Sequence, residues 1–180
     1  MANLFKKFLT PVMFMSLAIF ISSGCSTNDP VINNSVKTAG SLDVTVTAST
    51  YNGRYAPRHV MAIWVESSSG TFVKTLVARA AERRQYLTNW LNATSSGNTT
   101  DANTGATLNS YSAVNCSWNG TNVSGDVVGD GDYNLNVEYT ENDGTGKIAT
   151  FAFSKGTSTD TRTPATTSGV SVGKLIWTPN

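Results

Sequence analysis

Alternation of apolar and polar residues dominates the chain after Gly40. Leu42, Val44 and Val46 are separated by polar residues, as in a strand with one buried face, and Tyr51-Asn52-Gly53 closes that run with a turn. The segment from His59 to Glu66 is apolar on both faces, with Val60, Ala62 and Trp64 on one and Met61, Ile63 and Val65 on the other. Such a strand belongs at the centre of a sheet. Ser67 to Gly70 reads as a turn and Thr71 to Val77 as the returning hairpin strand. Between Arg79 and Leu91 the period changes: Tyr86, Leu87, Trp90 and Leu91 recur at helical spacing, with Glu82, Arg83 and Arg84 at solvent positions. The pattern predicts one short helix crossing an end of the domain. Asn92 to Asn109 follows as a long polar loop, and loops of that length are often functional. Strands resume at Tyr111 to Trp118, Tyr133 to Tyr139 and Ile148 to Phe153; a polar loop from Gly156 to Ser168 precedes a last strand, Val170 to Thr178. About seven strands and one helix predict an all-β fold, an antiparallel immunoglobulin-like sandwich over residues 41–180.

The first residues change the picture of where this domain works. Lys6 and Lys7 precede the apolar run Phe8 to Ile21, and Ser22, Ser23 and Gly24 lead to Cys25. The run is shorter than the roughly 20 residues a bilayer-spanning helix needs, and Pro11 interrupts it. The order resembles the lipobox of bacterial lipoproteins, with Ser22 in place of the usual aliphatic residue. This implies a signal peptide over 1–24, diacylglycerol on the Cys25 thiol and a flexible, polar tether over 25–40. Ser26, where an Asp would retain an enteric lipoprotein at the inner membrane, favours the periplasmic side of the outer membrane. Loss of Lys6 and Lys7 would take the formal charge from +1 to −1, which offers no general attraction for nucleic acid. With Cys25 lipidated, Cys116 has no disulfide partner, and its alternation with Val114 and Trp118 makes it a small buried residue.

Several segments together resemble a family of periplasmic proteins known as domain of unknown function 2271. They are His59 to Glu66, Gly70 to Leu76, Tyr86 to Trp90, Asp101 to Thr107, Trp118 to Asn122, Gly125, and Gly131-Asp132-Tyr133. The last ones are also similar to the sandwich domain of flagellar hook-scaffolding proteins. No enzymatic activity attaches to the family, whose members are found beside flavin-transfer and membrane electron-transfer proteins.

Asp101-Ala102-Asn103-Thr104-Gly105-Ala106-Thr107 is the segment richest in chemical possibility. It resembles the attachment motif of periplasmic flavoproteins, in which a transferase splits a metal-bound FAD and joins FMN through its phosphate to the final Thr. The resemblance implies Thr107 as acceptor, Gly105 as the point of close backbone approach and Asp101 as an organiser of neighbouring amides. Leu108 departs from the small hydroxyl residue that often follows. Without modification, Asp101 and Thr104 would shape an Asx-type turn and Gly105 would take a left-handed conformation.

Other constellations are weaker. Asp126, Asp130, Asp132 and Asn134 could offer oxygens to Ca²⁺, but lack the distal bidentate Glu of a calcium loop. His59 is the only histidine, which excludes multi-His metal sites. No catalytic residues and no metal are expected, and no cofactor other than FMN. Two functions follow: a non-catalytic binding or scaffolding lipoprotein with an envelope protein partner, and, as the alternative, a redox carrier with FMN on Thr107.

Overall fold

The computed structural model describes residues 36–180. The expected signal peptide, Cys25 and most of the expected tether lie outside them. Two sheets face each other. One has the order β5-β1-β9-β8 and the other β4-β3-β2-β6-β7, where β1 is Gly40–Ala48, β2 Val60–Ser67, β3 Phe72–Arg79, β4 Asn103–Gly105, β5 Val114–Trp118, β6 Gly131–Thr140, β7 Lys147–Lys155, β8 Asp160–Arg162 and β9 Val170–Pro179. The fold is an all-β sandwich. Seven strands are of ordinary length, as the alternation predicts; β4 and β8 are three-residue additions, and β4 pairs with β3 in parallel, an exception to the antiparallel expectation.

The core lies between the sheets. Leu42, Val44 and Val46 of β1 face Met61, Ile63 and Val65 of β2, with Leu135, Val137, Phe151 and Phe153 around them. Trp118 fills one end, its ring centroid 5.4 Å from Tyr133 and 6.1 Å from Trp177. Gly120 sustains the turn after it with φ 75°, where a side chain would be strained.

The double-faced β2 does lie centrally, between β3 and β6. Its other face, Val60, Ala62 and Trp64, packs on Ala78, Ala80, Leu87 and Trp90. Here the structure corrects the sequence reading. Residues 79 and 80 continue the β3 side of the molecule, Arg83 takes a left-handed backbone with φ 60°, and only a 3-10 turn at Arg84–Tyr86 and a short helix α1, Thr88–Ala93, follow. The helix covers the outer face of the five-stranded sheet instead of crossing an end. Leu87 and Trp90 are buried there, and the buried Glu138 of β6 accepts hydrogen bonds from the Asn89 and Trp90 amides at 3.3 and 2.9 Å. A carboxylate at this position satisfies free amides of the first turn and favours its dipole.

The strands give the sandwich two poles. At the first, where the chain enters β1, Asp130 accepts from the Thr38 amide at 2.8 Å and hydroxyl at 2.6 Å, and the buried Lys155 ammonium donates to Asp130 at 2.8 Å and to Thr38 O at 2.7 Å. Hydrogen bonding therefore reaches back to Val36, whose carbonyl accepts from the Asp130 amide. The other pole is where β1 ends and β2 begins, about 30 Å away at the rise of a strand. Glu141 organises it, accepting from the Gly53 amide at 2.7 Å, the Thr50 hydroxyl at 3.2 Å and the Tyr111 hydroxyl.

Candidate functional site

The Asp101 to Thr107 segment runs along the edge of the five-stranded sheet toward the second pole. Asp101 has a left-handed backbone, φ 56°, and its carboxylate accepts from Lys74 Nζ at 3.2 Å. Asn103, Thr104 and Gly105 form β4 in register with Val77, Ala78 and Arg79. Gly105 thus lies in a ladder and is not the left-handed residue; Asp101 is. Absence of a side chain at Gly105 admits Arg79, because a Cβ there would stand 2.2 Å from Arg79 Nη1. Arg79 Nη1 also reaches Thr104 O at 3.4 Å.

Beyond β4, Ala106 is exposed and Thr107 half-buried. Leu108 then exchanges two backbone hydrogen bonds of 3.0 Å with His59. Thr107 is consequently held between two anchored points, Gly105 and Leu108, where the sequence suggested a loop without structure. His59 itself is buried, stacked on Tyr111 at 4.9 Å, and burial lowers its pKa, so the imidazole is a neutral wall of the pole.

Thr107 lines a cleft of about 370 Å³ with Tyr55, Arg58, Glu82, Arg83 and Asn109. The Arg83 guanidinium lies 4.3 Å from the Tyr55 ring centroid, within cation-π range, and Arg54 approaches the same ring at 5.3 Å. Tyr55 donates its hydroxyl hydrogen bond to Asp143, which holds the phenol above its ordinary pKa. Among the described residues, Arg83 Nη1 and Arg79 Nε are buried without a hydrogen-bond partner. Buried donors of this kind call for an acceptor.

The model of a family described as "Predicted periplasmic protein (DUF2271)" matches residues 41–171. The chain belongs to this family. No curated protein and no solved structure matches it. The span matched to DUF2271 includes the motif and every residue of the cleft, and stops at the start of β9.

In this DUF2271 domain the other sequence candidates lie apart from the cleft. Cys25 is outside the described residues. Cys116 is half-buried on β5, its thiol pushed up to about 12 by burial. Asp130 binds Lys155 and Thr38, and Asp132 accepts from Ser154 Oγ at 2.6 Å. No group of three or more His, Cys, Asp or Glu able to hold a metal occurs among the described residues, and no helix there is long and apolar enough to cross a membrane. Arg83 and Arg84 read as solvent positions of a helix in the sequence, and Tyr55 and Arg58 carried no signal. Only the pairing of Leu108 with His59 and the course of β4 bring the three segments together.

The residues present fit a phosphate-linked group. Arg58 and Arg83 offer forked donors suited to a phosphodiester and Tyr55 a flat ring, and Glu82 is the one carboxylate in the same lining.

Proposed function

We propose that this domain carries FMN in phosphodiester linkage to Thr107 and serves as an electron carrier held at the membrane by lipid on Cys25. The observation that supports it most is Thr107 lining one cleft together with Arg58, Arg83 and Tyr55. The motif suggests the acceptor, and the cleft supplies the countercharge that a phosphodiester needs.

In the attachment reaction Thr107 Oγ1 forms the new bond to the FMN phosphorus of FAD. The phosphoanhydride breaks, AMP departs with the electron pair, and the hydroxyl proton passes to the transferase. Anchoring of Gly105 and Leu108 fixes the half-buried Thr107 beside the second pole. Arg58 and Arg83 would hold the phosphodiester, and the Tyr55 ring would limit how the attached group swings. When bound, FMN supplies one- and two-electron redox chemistry. The chain's own part is to hold and shield; the reading is of a carrier and not an enzyme. The outer membrane is the favoured site.

Co-expression with a flavin transferase tests this. The native protein is expected to be yellow after denaturation and proteolysis, with colour and FMN mass on the peptide containing Thr107. A colourless protein would sink the flavin reading and leave the scaffolding one. Labelling with a lipid precursor, compared with Cys25→Ser, tests the anchor in the same cells.

A further inference from the structure

We infer that the second pole is a docking face for a partner protein with a carboxylate-rich surface. Five of the six arginines of the chain, Arg54, Arg58, Arg79, Arg83 and Arg84, fall between residues 54 and 84. The fold gathers them there: Arg54 and Arg58 in the β1–β2 connection, Arg79 at the end of β3, Arg83 and Arg84 just after it. Four carboxylates, Glu82, Glu138, Glu141 and Asp143, share this pole with the five arginines and Lys147, so the positive surplus is small and lies at the surface. Glu141 and Glu138 are buried and engaged by backbone and side-chain donors, and Asp143 is taken up by Tyr55 and, at 3.9 Å, Arg54. Glu82 remains as the exposed counterweight. Around the opposite pole the balance shifts, with Asp126, Asp130, Asp132 and Asp160 against Lys37, Lys155 and Arg162.

The surface of this pole therefore presents more arginine than carboxylate, an arrangement that orients an approaching anionic partner. Its surface chemistry also suits docking. Tyr55 lies between Arg54 and Arg83, and aromatic and arginine side chains of limited freedom are enriched at protein interfaces. Thr38, where the described chain enters β1, is pinned at the other pole. A phosphodiester on Thr107 would take up one of these charges, so the surplus is counted for the unmodified chain, which is the form probed below.

A fluorescein-labelled oligo-glutamate peptide serves as the probe, with the full chain in detergent and anisotropy as the readout. Binding at low salt is expected, with loss on raising ionic strength to about 0.3 M. The Arg54→Glu, Arg58→Glu pair should weaken it about tenfold or more, while Lys174→Glu, on the face of the other sheet, should not. Matched thermal transitions show that the variants are folded. Absence of binding at low salt, or equal losses in the two variants, would overturn the proposal. So would full binding by the double-arginine variant.

Discussion

Replacing Asp130 with Ala should destabilise the domain out of proportion to the few atoms removed. Lys155 has a side chain with no exposure, and its ammonium has as partners Asp130 at 2.8 Å, Thr38 O at 2.7 Å and the Trp177 ring at 5.2 Å. Removing the carboxylate leaves a buried cation with one carbonyl and one aromatic face. Breaking a buried ion pair from one side costs about 3–5 kcal/mol. The same change also strips Thr38 of two hydrogen bonds, each worth about 1 kcal/mol. Lys155→Met should cost less, about 1–3 kcal/mol, since Asp130 keeps its Thr38 donors and an apolar chain suits the space. Urea unfolding followed by tryptophan fluorescence measures both, because Trp118 and Trp177 lie in the adjacent core. An Asp130→Ala loss under about 1 kcal/mol, or a larger loss in Lys155→Met, would refute the view that this pair staples the entering chain to the sandwich.

Two further outcomes follow from the titrating groups. Burial disfavours ionisation of Glu141, but hydrogen bonds from Tyr111, Gly53, Thr50 and Tyr51 outweigh it and hold its carboxyl below the ordinary value. Its contribution is then complete above the unfolded pKa and disappears as pH falls through the lower folded one; Glu141→Gln should lose about 1–3 kcal/mol at neutral pH and flatten the acid limb of stability against pH. Cys116, with its thiol raised to about 12, should resist a thiol-specific disulfide reagent at pH 8 in a folded Cys25→Ser protein and react promptly in denaturant; fast labelling of the folded state would contradict the burial.

What the sequence conveyed, and what it hid, follows from the kind of signal each element leaves. β2 was legible because a run apolar on both faces has no place but the middle of a sheet, and Val60, Ala62 and Trp64 meet a second small core. Leu87 and Trp90 were legible as an apolar helical face, whereas the helix start was not. Ala80 continues the packing of β3, and the left-handed Arg83 that ends it leaves no hydrophobic trace. β4 and β8 escaped notice since their residues are polar and largely exposed, held by backbone ladders and polar side-chain contacts that leave no hydrophobic pattern. Tyr111 looked like strand and instead stacks on His59.

The site divides the same way. Thr107 was found through its motif, a local signal, while Arg58 and Arg83 join it through contacts between segments remote in sequence. The Asp130 and Lys155 pair was equally hidden. The aspartates around it suggested oxygen ligands for a cation, and the cation that Asp130 meets is an ammonium at the end of β7.

Intact mass of the native chain, Thr107→Ser and Thr107→Ala, each produced beside an active flavin transferase, bears most directly on the account. The native chain and the serine variant should gain the mass of FMN less one water, and the alanine variant should gain nothing. An unmodified native chain, or an alanine variant that still acquires the group, would contradict it.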